Sequence, residues 1–218
     1  MSIPKIIHQT FKTEKLPLIT RWHIYRLKKN NPDYAYEFYD DTRIEQFLHE
    51  EYDEDTLTLY KQLNIGAAKA DFFRYAVLFR KGGVYLDIDS AIKGSLNDFI
   101  KADDHAIISR ERNPSLYVQW ALVFEPNHPF LKKTLEFVKD NIKNNRYQHD
   151  VQKMTGPAVY SKAIEACVLE SPVPAHRILG FDYNGYLKFK YPLSKLLYSK
   201  GEHWKKMQLT KPVLKGGK

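Results

Sequence analysis

The chain has 218 residues, 43% of them apolar and 28% charged, with one cysteine, Cys167. That length allows one large domain or two small ones, and a single cysteine excludes an internal disulfide and any multi-cysteine metal site. The net charge is +8, placed unevenly: residues 181–218 hold nine lysines against Asp182 and Glu202, whereas residues 1–180 hold 25 basic and 24 acidic groups. No run of about 18 apolar residues occurs, so no membrane-spanning helix is expected. Residues 1–12 lack the apolar stretch of a signal peptide, so the expected location is cytoplasmic.

Residues 3–9, IPKIIHQ, read as a buried strand after a proline-marked start. Residues 18–30 read as a helix that stops before Asn31-Pro32, because proline disfavours helical geometry in the residue before it. Residues 34–39 are aromatic and strand-like, and Asp40-Asp41-Thr42 opens a helix through about residue 51. Residues 66–80 form a strongly apolar helix that Lys81-Gly82-Gly83 ends. Strands are expected at 84–88, 105–110 and 119–124, and helices at 129–144 and 157–169, with Cys167 in the core of the last. Alternating strands and helices with short connections predict α/β layers in one domain spanning residues 1–218.

The densest chemical signal is Gly82-Gly83-Val84-Tyr85-Leu86-Asp87-Ile88-Asp89. Side chains alternate along a strand, so Tyr85, Asp87 and Asp89 share one face and Val84, Leu86 and Ile88 the other. Two carboxylates so close repel unless a positive group lies beside them. They stand where a strand leaves the sheet, the usual ligand end of an open α/β sheet. Such oxygen ligands suit Mg²⁺ or Mn²⁺ rather than zinc. The plain alternative is a surface turn with two solvated acids. In the preceding helix Asp71 and Arg74 share a face. Arg74 can hold a phosphate or sugar through its planar fork, and Asp71 can accept bonds from sugar hydroxyls. On the helix alone, a simple intrahelical ion pair is the favoured reading.

The basic end, about residues 186–218, interleaves Lys with Tyr, Phe, Leu and Trp. Such a mixture can seek an anionic membrane or nucleic-acid phosphates, or simply keep a closing segment solvated. Asp103-Asp104 reads as a loop of solvated acids, and His128 as a structural histidine before a helix.

Taken together, Asp71-x-x-Arg74-Tyr75 and Gly82-Gly83-Val84-Tyr85-Leu86-Asp87-x-Asp89 resemble the core of the glycosyltransferase family 32 sugar transferases. That family includes yeast-type initiating α-1,6-mannosyltransferases and bacterial capsule enzymes, and its core is similar to the glucosyltransferase domain of large clostridial toxins. Residues 3–10, Asn31-Pro32 with 36–40, Gln119-Trp120, 126–130 and Thr155-Gly156-Pro157 resemble further family segments, so the likeness spans roughly residues 3–160. It implies a GT-A-like fold with a mixed, mostly parallel central sheet flanked by helices, a nucleotide-diphospho-sugar donor, a Mn²⁺ or Mg²⁺ ion, and retention of anomeric configuration.

Residue by residue, the resemblance places Asp71 and Arg74 at the donor's sugar and diphosphate, with Tyr85 packed nearby. Asp87 is expected at the ribose or a metal-bound water, and Asp89 on the metal. Ile7, His8 and Gln9 would line the base pocket. His203, beside Trp204, is the candidate third metal ligand, with an exposed histidine in a basic tail as the alternative. The expected reaction moves a hexose, with uridine as the expected donor base and guanosine with mannose as the alternative. The expected acceptor is a glycan or lipid-linked glycan of bacterial capsular or exopolysaccharide synthesis, with the basic tail at the inner face of the membrane and no nucleic acid involved. Competing expectations are a basic membrane- or nucleic-acid-binding module without catalysis, a haloacid-dehalogenase-type phosphatase, which Ala91 and the mid-chain position of Asp87 disfavour, and a transferase acting on a host protein.

Overall fold

The structure, a computed structural model, describes residues 2–198 and 204–216. A six-stranded sheet forms its centre, built from β1 (Ile6–Thr10), β2 (Ala35–Tyr39), β3 (Gly83–Leu86), β5 (Ala106–Ser109), β6 (Ala121–Phe124) and β7 (Arg177–Leu179) in the order β2-β1-β3-β6-β5-β7. β1 pairs in parallel with β2 and β3, and β5 with β7, while β6 runs antiparallel to both its neighbours. The sheet is therefore mixed and largely parallel, as expected. A small ribbon pairs β4 (Ala91–Ile92) with β8 (Leu187–Lys188).

The α-helices among the described residues are α1 (Leu18–Asn30), α2 (Asp41–Glu51), α3 (Glu54–Gln62), α4 (Gly66–Lys81), α5 (Pro129–Lys143), α6 (Val151–Met154) and α7 (Pro157–Val168), followed by the short α8 (Phe181–Asn184) and α9 (Trp204–Thr210). Their starts have local causes. Asp40 caps α2 by accepting from the Arg43 amide at 2.9 Å, and Asp53 caps α3 by accepting from Thr56 at 2.8 Å. Proline occupies the first turn of α5 and of α7, where its missing N–H is no loss. The alternation read from residues 84–86 is realised in three dimensions. Val84 and Leu86 pack with Ile7, Ile107 and Val123 on one face of the sheet. Tyr85 packs with Leu122, Phe124 and the α4 residues Phe73 and Ala76 on the other.

The turn from α4 into β3 explains the glycine pair. Gly82 has φ +63°, and a Cβ there would stand 2.6 Å from Pro126 Cδ; Gly83 has φ +100°, and its Cβ would stand 2.5 Å from the Ile6 carbonyl oxygen. The pair thus lets β3 lie against β1 directly after a 16-residue helix.

Several boundaries differ from the sequence expectation. β3 stops at Leu86 and β6 begins at Ala121, because Asp87 N–H and the Trp120 carbonyl close the ladder with a single 2.8 Å bond before both chains diverge. α3, α6, β7 and the β4–β8 ribbon were not anticipated; apart from α3 they are two to four residues long, too short to show a period. Asp104 is not a solvated loop acid. It is buried, accepts from the Lys101 amide at 2.7 Å, and receives the Arg177 guanidinium on both oxygens at 2.8 and 2.6 Å. Cys167 is buried in α7 as expected. Among the described residues no helix is long and apolar enough to cross a membrane.

Candidate active site

α4 and β3 deliver the charged residues to one point. α4 is buried over most of its length, and Asp71 and Arg74 lie on its turns above the end of β3. The Asp71 carboxylate is 6% exposed and fully engaged: Oδ1 accepts from Gln119 Nε2 at 2.9 Å and pairs with Arg74 at 3.2 Å, and Oδ2 accepts from the Thr155 hydroxyl at 3.0 Å. Arg74 donates from Nη1 to the Gln119 carbonyl at 2.8 Å and from Nη2 to Asp87 Oδ1 at 3.0 Å, and its guanidinium lies 4.8 Å from the centre of the Tyr85 ring. The Tyr85 hydroxyl donates to the same Asp87 oxygen at 3.2 Å. Gln119 Nε2 also reaches the Tyr75 hydroxyl at 2.6 Å, and that hydroxyl donates to the Thr155 carbonyl at 3.0 Å. The main chain of Asp87 is held as well, its carbonyl accepting from Gln9 Nε2 at 3.3 Å and from the Ser90 amide at 2.9 Å.

This geometry bears on four candidates. Arg74, expected at the donor's diphosphate, lines the cleft, but its guanidinium is almost wholly buried and already bonded to the Gln119 carbonyl, Asp71 and Asp87. Ile7, His8 and Gln9 were expected at the base pocket, yet all three are buried; Ile7 belongs to the core below the sheet, His8 Nε2–H donates to the Gly82 carbonyl at 3.0 Å, and Gln9 donates to the Asp87 carbonyl and accepts from the Tyr36 hydroxyl at 3.0 Å. Odd and even residues of a strand face opposite ways, and both faces of β1 are covered here. It is the end of β1, at Thr10 and the following Phe11, that opens on the cleft. His203 lies outside the described residues.

Asp89 stands beyond Asp87, 4% exposed. Its Oδ2 is 3.7 Å from Lys190 Nζ, the Tyr198 hydroxyl hydrogen-bonds it, and its carbonyl accepts from the Tyr191 amide at 2.9 Å. Burial, then the neighbouring Asp87 charge, pushes its carboxyl up to about 6. Burial also raises Asp71 and Asp87, against the pull of Arg74. For Arg74 burial works against the charge, but Asp87, Tyr85 and Asp71 outweigh it and hold the guanidinium protonated. Three carboxyl groups thus share two cations, Arg74 beside Asp71 and Asp87, and Lys190 beside Asp89.

That donor set fits a hard divalent cation such as Mg²⁺ or Mn²⁺. Asp87 and Asp89 are the residues that would hold it. Among the described residues no group of three His, Cys, Asp or Glu could complete a site. Open sites of this kind take their remaining oxygens from water and substrate phosphates.

The charged part of this constellation lies on the wall of a large cleft of about 1650 Å³. Asp71, Arg74, Tyr85, Asp87 and Asp89 line it, together with Gln119, Lys190 and Tyr198. Gln119, Thr155, Lys190 and Tyr198 were not singled out as site residues in the sequence. Gln119 and Thr155 did fall in segments with family likeness; Lys190 and Tyr198 carried only the basic, aromatic character of the closing segment.

The motif residues therefore share one constellation, and comparison with known proteins agrees. Residues 21–107 match the family model described as the glycosyltransferase sugar-binding region containing the DXD motif. An uncharacterised glycosyltransferase of Acanthamoeba polyphaga mimivirus is 31% identical over 176 residues, 78% of this chain and 68% of that protein. The chain belongs to the DXD glycosyltransferases. An initiation-specific alpha-1,6-mannosyltransferase of Schizosaccharomyces pombe is 27% identical over 74% of the chain, and a mannosyl phosphorylinositol ceramide synthase of Saccharomyces cerevisiae is 35% identical over 63%. The matches span only 48% and 35% of those two fungal proteins. Among solved structures, the PaToxG glycosyltransferase superposes with a TM-score of 0.64 at 23% identity, over 78% of this transferase and 73% of that chain. The transferase thus has the GT-A-type α/β fold.

Proposed function

We propose that this transferase moves a hexose, with retention, from a nucleoside-diphospho-sugar to a glycan or glycolipid acceptor. The observation that carries the reading is the pair Asp87 and Asp89 on the wall of an open cleft just past the end of β3, Asp87 held by a buried Arg74–Asp71–Gln119–Thr155 network and Asp89 by Lys190 and Tyr198. Transfer of a glycosyl group leaves negative charge on a diphosphate, and a divalent cation at Asp87 and Asp89 would offset it in the transition state. The chain's own part is rigidity. Arg74 and Tyr85 both hold Asp87 Oδ1, and Asp71, itself fixed from three sides, holds Arg74. Lys190, beside Asp89, supplies a fixed positive charge where the diphosphate would lie. The sugar develops oxocarbenium character as the bond breaks, and a carboxylate close to the ring would offset it.

Uridine is the base we propose for the donor. A mannosyl donor carried on guanosine is the second reading, favoured by the mannosyltransferase names of the fungal relatives. Those names also extend the acceptor class from the bacterial polysaccharide expected from the sequence to ceramide glycolipids.

The test is a thermal-shift screen of UDP- and GDP-hexoses with and without Mn²⁺. A donor at a hundredfold excess over its Kd stabilises by about 2.7 kcal/mol, so a cation-dependent shift with one donor identifies base and sugar. Asp89→Asn is expected to fold and to lower transfer by about 10²–10³-fold. Undiminished transfer in that variant overturns the role of Asp89.

A further inference from the structure

The 13 residues of α1, LITRWHIYRLKKN, include Arg21, Arg26, Lys28 and Lys29 and no acid. Leu18, Trp22 and Tyr25 follow one another at helical spacing along one stripe, and they are 79%, 48% and 61% exposed. Arg26 lies over the Trp22 ring at 4.9 Å. Residues 189–198 repeat the composition, with Lys190, Lys195 and no acid, and with Phe189, Leu193 and Leu196 exposed. The two segments are joined. The Tyr191 hydroxyl donates to Thr20 Oγ1 at 2.8 Å, and the Tyr191 ring stacks on His23 with centroids 3.8 Å apart. On α1 a shallow depression of about 590 Å³ is lined by Arg21, Ile24, Tyr25, Lys28 and Lys29. The same two segments edge the cleft, through Arg21 on one side and Phe189 and Leu196 on the other.

In water this surface is unfavourable twice over, since large apolar side chains stay hydrated and the basic groups of α1 lie close together on a helix that carries no acid. An anionic bilayer answers both demands: aromatic and aliphatic groups enter the interface while the long basic side chains meet the headgroups. A nucleic acid would use the cations and leave Leu18, Leu193 and the other aliphatic groups in water. We propose that the exposed face of α1 and the adjoining residues 189–198 seat the chain on an anionic phospholipid surface, with the cleft mouth at the lipid interface. This deepens the transfer reading, because a lipid-linked acceptor would then be presented at the cleft, and it rests on that reading only for its purpose. Binding itself needs neither donor nor acceptor.

The experiment is flotation of the full chain with vesicles of phosphatidylcholine alone and of phosphatidylcholine with about a third phosphatidylglycerol. The chain is expected to float with the anionic vesicles at low salt, to be released by salt, and to ignore the neutral ones. Lys28→Gln with Lys29→Gln is expected to lower the partition about 30-fold, from about 1 kcal/mol per basic group near the surface. Leu18→Ser with Trp22→Ser is expected to lower it at least about tenfold without changing the affinity for a short DNA duplex. Both pairs should keep the wild-type melting temperature and the transfer rate to a soluble acceptor, since none of the four residues lines the cleft. Three results would overturn the proposal: no preference for anionic vesicles, unchanged vesicle binding in the Leu18/Trp22 variant, or a DNA duplex that displaces the vesicles. Vesicle binding without any transfer activity would instead count against the reaction proposed above and leave this surface standing.

Discussion

His8 offers the clearest quantitative test of the site's architecture, because it was a candidate donor contact and the structure makes it a core residue. Its Nε2–H donates to the Gly82 carbonyl at 3.0 Å, and Nδ1 is buried with no partner. A proton on Nδ1 would therefore be a buried, unanswered charge. Burial accordingly lowers the pKa from 6.5 to about 4. The folded value lies below the unfolded one, so as pH falls the unfolded chain takes up the proton first. Stability from neutral His8 is fully present above pH 6.5 and is lost between 6.5 and about 4. By linkage the loss is about 2 kcal/mol at pH 5 and only a few tenths at pH 7. For a chain of this size each kcal/mol moves the melting temperature by about 2–4 °C, so the expected drop is about 4–8 °C. His8→Gln places an amide nitrogen near the position of Nε2 and does not titrate. The buried carboxylates titrate in both proteins and cancel in the comparison. Calorimetry at pH 7 and pH 5 should show wild type losing about 4–8 °C more than His8→Gln, with the Michaelis constant for the donor unchanged. Parallel losses in the two proteins, or a weakened donor constant in the variant, would refute the assignment of His8 to the core.

Gly83→Ala should destabilise by at least about 1–3 kcal/mol, measured by urea unfolding, because the new Cβ meets the Ile6 carbonyl at 2.5 Å and φ is +100°; an unchanged midpoint would show that β3 can shift away from β1. Arg74→Lys keeps the charge, but one ammonium cannot serve Gln119, Asp71 and Asp87 together. We expect at least about a tenfold lower transfer rate, and a wild-type rate would remove Arg74 as the group that positions Asp87. Thr155→Val takes away one hydrogen bond to the buried Asp71 oxygen and should lower stability by about 1–3 kcal/mol; a neutral result would mean that oxygen finds another donor.

Much of the site was legible because its signals are local. An acid pair two residues apart after an apolar strand, a glycine pair before that strand, and Asp71 and Arg74 on one helical face can each be read within about ten residues, and the family likeness joined them. The same locality set the limit. Strand alternation gave Tyr85 and Val84 their correct opposite faces, but it could not say that both faces of β1 would be covered, which buries Ile7 and His8 together. Asp103-Asp104 looked like surface acids because the cation that claims Asp104, Arg177, is 73 residues away.

Most of the longer helices and strands, the glycine stop after α4, and the placing of Asp87 and Asp89 at a strand end could be read from local pattern. Tertiary structure alone decided what holds those carboxylates. Gln119 reaches Asp71 across 48 residues and Thr155 across 84, and Lys190 approaches Asp89 from the far end of the chain. Periodicity records which face of an element is covered, whereas a hydrogen bond between distant segments depends on how those faces are stacked, and that is settled only when the layers close on one another.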